Sequence, residues 1–289
     1  MKMSAEKIDE LIERERLPAS YRKTVDRHWR PLARQIADWS REKAGPVVIG
    51  VNGAQGSGKT TLCAFLSELL LPELGLSGAV LSLDDFYLSK AERLAMSEKI
   101  HPLLGIRGVP GTHDVARICA ALNKLCAGET AFVPVFDKAN DDRSPDQRLI
   151  KAPIDVILFE GWCVGASPQN EKTLAEPLNT LERDEDKTGK WRRYVNERLK
   201  TDYRDLFARV DRVIMLRVDS MDAVFHNRLR QEQKLRTAKP DAPGLLSDEG
   251  VARFIQHYER LTRHCLETLP LRADIVIDVA TVAANGTMV

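Results

Sequence analysis

The 289-residue chain lacks the features that define several protein classes. It has five cysteines, Cys63, Cys119, Cys126, Cys163 and Cys265, an odd count with no CxxC pair. That argues against a disulfide scaffold or a zinc site and for reduced thiols. Neither charge sign is in excess: 43 Lys and Arg face 42 Asp and Glu, a net charge of +1. Nonspecific nucleic-acid binders usually carry a basic surplus, so no nucleic-acid partner is expected. No apolar run approaches the roughly 18 residues of a membrane span. The charged stretch Met1 to Arg16 has no apolar segment of a secretory signal. No membrane partner and a cytoplasmic location are therefore expected. Internal repeats are absent too. What remains is 43% hydrophobic and 29% charged, which is too apolar for a disordered chain. A chain this long buries a core without disulfides or structural metal.

Two hydrophobic periods divide the chain. Val25, Trp29, Leu32, Ile36 and Trp39 recur at helical spacing, with Pro31 expected to kink or interrupt the helix. Residues 1–45 thus read as a helical arm packed on the main domain, with a homo-oligomer contact as the sharper alternative. From residue 46 the pattern changes to short apolar runs: Val47 to Val51, Ala79 to Leu83, Asp155 to Phe159, Val213 to Leu216 and Ile275 to Val279. Strands buried on both faces look like this. Helical segments alternate with them: Lys59 to Leu71, Thr112 to Ala127, Trp191 to Arg209, Met221 to Leu235 and Ser247 to Leu269. The alternation predicts one α/β domain over 46–280, with a five-stranded parallel sheet flanked by helices. Lys138 to Pro153 and Gly165 to Lys190 read as long polar loops, and 281–289 as a frayed tail.

Gly53-Ala54-Gln55-Gly56-Ser57-Gly58-Lys59-Thr60, followed by Thr61, matches the phosphate-loop pattern G-x-x-x-x-G-K-[ST]. It follows a predicted strand and opens a helix, which is the context the motif requires. Glycines let the backbone curl so that N–H groups point at phosphates. The helix N-terminus aims its positive dipole end at the same anion. Lys59 is expected to reach the β- and γ-phosphates of ATP, and the Thr60 hydroxyl to ligate Mg²⁺.

Acids stand at two further strand ends, where open parallel sheets bind ligands. Leu83-Asp84-Asp85-Phe86-Tyr87 follows the second strand. A hydroxyl acceptor needs a carboxylate to orient it and take its proton. Asp84 comes first off the strand and is the candidate base, with Asp85 read as a cap or support. Glu160, at the end of the Asp155 to Phe159 run, is the second metal candidate. A small acidic acceptor would need cations, and Arg107, His113, Lys138 and Arg143 are the available bases. Tyr87 and Asp137 neighbour these on the substrate side. Arg228 and Arg230 lie on a late basic helix able to close over transferring phosphates as a lid.

Taken together, the phosphate loop, Asp84-Asp85-Phe86-Tyr87-Leu88, Arg107-Gly108-Val109-Pro110-Gly111-Thr112-His113-Asp114, Phe136-Asp137-Lys138 and Phe159-Glu160-Gly161-Trp162-Cys163-Val164-Gly165 resemble the phosphoribulokinase/uridine kinase family of P-loop kinases. The similarity spans about residues 46–280 and is strongest to the plant- and yeast-type D-glycerate 3-kinase group. It implies a sheet of order 2-3-1-4-5 and ATP-dependent phosphorylation of a small-molecule hydroxyl. It also implies a base at Asp84, a phosphate grip at Lys59, metal at Thr60 and Glu160, and a lid around Arg228 and Arg230. Two departures from the uridine kinase branch count against a nucleoside acceptor. Phe136 replaces a usual Tyr, and Gly108 stands where that branch tends to place an acid. D-glycerate is the expected acceptor. A pantothenate- or nucleoside-type kinase and a nucleotide-binding regulator without kinase activity are the alternatives.

Overall fold

The computed structural model of the protein describes residues 2–238, 245–280 and 282. Seven strands form among them: β1 (Val47–Gly53), β2 (Gly78–Ser82), β3 (Ala131–Asp137), β4 (Asp142–Ile150), β5 (Val156–Gly161), β6 (Arg212–Arg217) and β7 (Ile275–Asp278). Five make one parallel sheet in the order β2-β5-β1-β6-β7. The numbering departs from the expected 2-3-1-4-5 because β3 and β4 form a separate antiparallel hairpin between β2 and β5 in sequence. Counted within the sheet alone, the path is the expected one.

Every residue of β1 and β5 is buried. Alternation sends their side chains into two apolar layers, one on each face of the sheet. Val47, Ile49, Val51, Val156 and Leu158 join a layer built from the N-terminal helices and the helix Lys59–Phe65. Val48, Ile157 and Phe159 join Ile118, Leu122 and Leu125 of the helix Val115–Cys126 on the other face. Register pairs Glu160 with Val51 on one side and with Ser82 on the other. The carboxyl ends of β1, β2 and β5 therefore lie side by side.

The N-terminal helices are Lys2–Arg14 and a run from Tyr21 to Glu42. The run passes through a wider, π-helical stretch, Val25–Trp29, and resumes as Arg30–Glu42 with Pro31 in its first turn. The expected interruption thus falls just ahead of the proline and widens the helix rather than breaking it. Val25, Trp29, Leu32, Ile36 and Trp39 are buried together.

Three expectations need correction. Lys138 to Pro153 is not a loop throughout, because Asp142–Ile150 is β4. Trp191 to Arg209 is two helices, Lys190–Lys200 and Asp202–Phe207, broken at Thr201. The stretch 165–190 holds a short helix, Thr180–Glu185. The predicted tail, 281–289, lies outside the described residues except for Val282, which is buried. No described helix is long and apolar enough to cross a membrane.

Candidate active site

The phosphate loop leaves the end of β1 and closes on the helix Lys59–Phe65. Gly56 has a φ of +74°, and a Cβ placed there would sit 2.6 Å from Cβ of Asn227 on the helix Met221–Ala238. Glycine here supplies both the left-handed turn and the close approach of that helix. Lys59 Nζ donates to Ala54 O at 3.2 Å, so the ammonium is folded over its own loop. Ser57 Oγ and Gln55 Oε1 are buried with no hydrogen-bond partner among the described residues. Unpartnered polar atoms in a buried loop are costly, and a phosphate oxygen would accept from the Ser57 hydroxyl.

A cleft of about 610 Å³ runs from this loop past the strand ends. Lys59, Thr60, Asp84, Tyr87, Arg107 and Lys138 line it, as do Asp137, Glu160 and Arg228. Glu160 is buried, and its Oε1 accepts from Ser82 Oγ at 2.7 Å and from Thr60 Oγ1 at 3.4 Å. Burial raises its pKa, with Lys59 acting against that. Among the described residues no cluster of three or more His, Cys, Asp or Glu stands ready to hold a metal. Mg²⁺ is commonly held by one or two carboxylates together with substrate phosphates and water. The oxygen pair of Thr60 and Glu160 fits that donor chemistry.

Asp84 sits in the single turn Leu83–Phe86 directly after β2. Its Oδ2 accepts from Lys138 Nζ at 2.6 Å and its Oδ1 from the Tyr87 hydroxyl at 3.1 Å. Burial pushes its pKa up, but Lys138, with help from Lys59, outweighs this and holds it at about 2. The carboxylate is thus ionised and exposed to the cleft. Asp85 lies behind it, 3.7 Å from Arg148 of β4, and does not line the cleft.

Arg107 is fixed in three ways. Its guanidinium pairs with Asp141, donates to Lys138 O at 3.4 Å, and lies 5.5 Å from the centre of the Phe136 ring. Burial works against its charge and Asp141 overrides it. Arg228 is held 2.7 Å from buried Glu232 and over Phe254. The two predicted lid arginines part company: Arg228 faces this cleft, whereas Arg230 lines a second cavity across the loop. Asp137 lines the cleft, yet its carboxylate caps the turn that carries Lys138, accepting from the N–H groups of Ala139 and Asn140 at 2.9 and 3.2 Å. His113 does not line the cleft. It stacks behind Tyr87 at 4.4 Å, and its Nδ1 lies 2.5 Å from the Tyr203 hydroxyl. Burial lowers its pKa to about 3. Arg143 likewise braces the wall, donating to Tyr87 O at 3.1 Å.

Sequence reasoning missed the opposite wall, formed by Phe254 and Tyr258 with Trp162. Phe254 and Tyr258 are four residues apart on the helix Asp248–Thr268, hence on one face. That spacing is visible in the sequence, but nothing there says which surface the face meets. The Tyr258 hydroxyl donates to Arg107 O at 3.1 Å, and Trp162 Nε1 donates to Gly108 O at 2.9 Å. A Cβ at Gly108 would lie 2.2 Å from the Tyr258 hydroxyl oxygen. An acidic side chain at this position has no room.

No family model matches the chain. It is 32% identical over 255 residues to the uncharacterized kinase mug58 of Schizosaccharomyces pombe, covering 78% of this chain and 87% of that one. It is 30% identical over 246 residues to the probable ATP-dependent kinase TDA10 of Saccharomyces cerevisiae, covering 78% and 80%. Against the chloroplastic D-glycerate 3-kinase of Arabidopsis thaliana identity is 31% over 237 residues, covering 78% of this chain and 48% of that one. Among solved structures, D-glycerate 3-kinase from Cryptococcus neoformans superposes with a TM-score of 0.70 at 26% identity, over 86% of this chain and 96% of that one.

Proposed function

The chain belongs to the uridine kinase-like family of P-loop kinases that includes D-glycerate 3-kinase, and from that membership in a family of small-metabolite kinases we propose that its donor is ATP and its acceptor D-glycerate, giving 3-phosphoglycerate. The observation that carries the acceptor reading is that Asp84, Lys138 and Arg107 line one cleft, with Lys138 Nζ 2.6 Å from Asp84 and Arg107 donating to Lys138 O. A small hydroxy acid needs a base for its hydroxyl and cations for its carboxylate within one small volume. The relatives whose names state glycerate support the same choice.

In the proposed reaction the acceptor oxygen bonds to the γ-phosphorus as the bond from that phosphorus to the β,γ-bridging oxygen breaks. Asp84 takes the acceptor's proton. Lys59 and Arg228 balance charge spread over the transferring oxygens. Bound Mg²⁺, held through Thr60 and Glu160, would add charge neutralisation at the phosphates. Tyr87 orients Asp84 through its hydroxyl, and Trp162, Phe254 and Tyr258 close the apolar side against water.

The test is ADP release from Mg·ATP with a panel of acceptors: D-glycerate, L-glycerate, pantothenate and uridine. The reading expects D-glycerate to give the highest kcat/KM. Faster turnover of pantothenate or uridine would replace the acceptor while keeping the kinase. Nucleotide binding without ADP release on a broad panel of alcohols would favour the regulator.

A further inference from the structure

A second cavity, of about 370 Å³, opens across the phosphate loop from the acceptor cleft. Its size lies within the roughly 300–1,000 Å³ of small-molecule sites. Gly56, Gly58, Thr61 and Gln231 border both cavities, so a phosphate chain lying on the loop would connect them. Apolar walls come from Val218 and Ala223 beyond β6 and from Val279 beyond β7. The remaining wall comes from the N-terminal segment: Glu15, Leu17 and Tyr21.

We propose that residues 15–21 form one wall of the nucleoside site, so that the N-terminal helices set how tightly the base and ribose half of the nucleotide is held. The inference rests on the phosphotransferase reading above, and it adds a specificity element from outside the phosphate-loop domain.

The wall is built in advance. The Arg14 guanidinium donates twice to the Glu68 carboxylate, at 2.7 and 2.8 Å, tying the first helix to the continuation of the phosphate-loop helix. Arg16 takes a φ of +53°, the left-handed conformation that glycine usually supplies at a helix end. Leu17 N–H then closes back on Ile12 O at 2.9 Å, which turns Leu17 to the cavity. Tyr21 is fully buried, and its hydroxyl accepts from Trp29 Nε1 at 3.1 Å. The chemistry suits a nucleoside better than a phosphate at this end. Leu17, Val218 and Val279 give flat apolar contact for a base, and the acids Glu15 and Asp219 accept hydrogen bonds from N–H or O–H groups while repelling anions. The cations Arg230 and Lys234 enter from the helix that touches the loop at Gly56, the phosphate side.

Calorimetry with ADP and with inorganic triphosphate, both in the presence of Mg²⁺, separates the two halves of the ligand. Triphosphate needs only the loop; ADP needs the loop and the nucleoside walls. Leu17→Trp should weaken ADP binding at least tenfold by filling the cavity, and Leu17→Ala about threefold or more by removing the contact. Both variants should leave triphosphate affinity within twofold of wild type. Unchanged ADP affinity in both variants would overturn the proposal, as would equal weakening of ADP and triphosphate, which would mean a loosened loop. Wild-type protein that binds neither ligand would instead overturn the nucleotide reading beneath it. Leu17→Ala keeps the test open if the bulkier Leu17→Trp does not fold.

Discussion

At the scale of single residues, the site turns on one carboxylate held charged by one ammonium. Lys138 is the main group lowering the Asp84 pKa, against burial, which raises it. A carboxylate with a lowered pKa is ionised, and adds its share of stability, above the ordinary carboxylate value; both are lost as pH falls towards about 2. Removing the ammonium takes away the largest opposition to burial and leaves the weaker pull of Lys59. The acidic limb of the kcat/KM profile of Lys138→Met should therefore move to higher pH than in wild type, and a limb that stays in place would show that Lys138 does not tune Asp84. Gly108 carries a different constraint. Its φ is +142°, and any Cβ meets the Tyr258 hydroxyl. Gly108→Ala should destabilise the fold by about 1–3 kcal/mol through overpacking, measured by urea unfolding, and should displace Tyr258 from the cleft wall. A change under about 0.5 kcal/mol would mean that the wall gives way freely. The Gly108 departure was legible in the sequence as a difference. Its steric cause was not, because Tyr258 is 150 positions away.

At the scale of elements, legibility followed burial. β1 and β5 announce themselves because both faces are covered and nearly every residue is apolar. β4 does not: it is mostly exposed, carries Pro145 and four charged residues, and shows no alternation. Its pairing with β3 is non-local information. Yet this hairpin brings Lys138 to Asp84, so the part of the site that was least legible as structure is the part that supplies its cation. Arg93 anchors the hairpin's turn. It is fully buried, donates to the carbonyls of Leu88, Gly105 and Asp141 at 3.2, 3.2 and 2.6 Å, and lies 3.1 Å from the Asp141 carboxylate. Arg93→Ala strands these acceptors. A buried pair broken on one side costs about 3–5 kcal/mol, and the partly exposed Asp141 puts this one near 3 kcal/mol. The variant should also raise the acceptor KM more than the ATP KM, since Lys138 lies in the hairpin's turn and Arg107 pairs with its Asp141. A loss below 1 kcal/mol with both constants unchanged would contradict the anchoring role.

For the whole molecule, the sheet places three strand ends, two cavities and one loop in line. The alignment of the strand ends and the loop is what the motifs implied, since the phosphate loop, Asp84 and Glu160 each stand at the carboxyl end of a strand of the parallel sheet. The second cavity was not legible, because its walls come from four distant segments. Stability should carry the mark of His113, whose pKa burial lowers to about 3. An unfolded histidine binds a proton below about pH 6.5; the folded one does not, so stability falls as pH drops from about 6.5 towards 3. Between pH 7 and pH 5 this group alone should cost about 2 kcal/mol, and His113→Phe should flatten that part of the urea-unfolding profile. An equal slope in the variant would place the acid sensitivity elsewhere. The central claim, a hydroxyl kinase whose base is Asp84, is tested most directly by ADP release from Mg·ATP with D-glycerate, wild type against Asp84→Asn, with ADP binding measured on both. Base catalysis is worth roughly 10²–10⁴-fold, or ~3–5 kcal/mol of barrier. The account predicts a fall in kcat of that size with ADP affinity within a few-fold of wild type, whereas near-normal turnover by Asp84→Asn would contradict it.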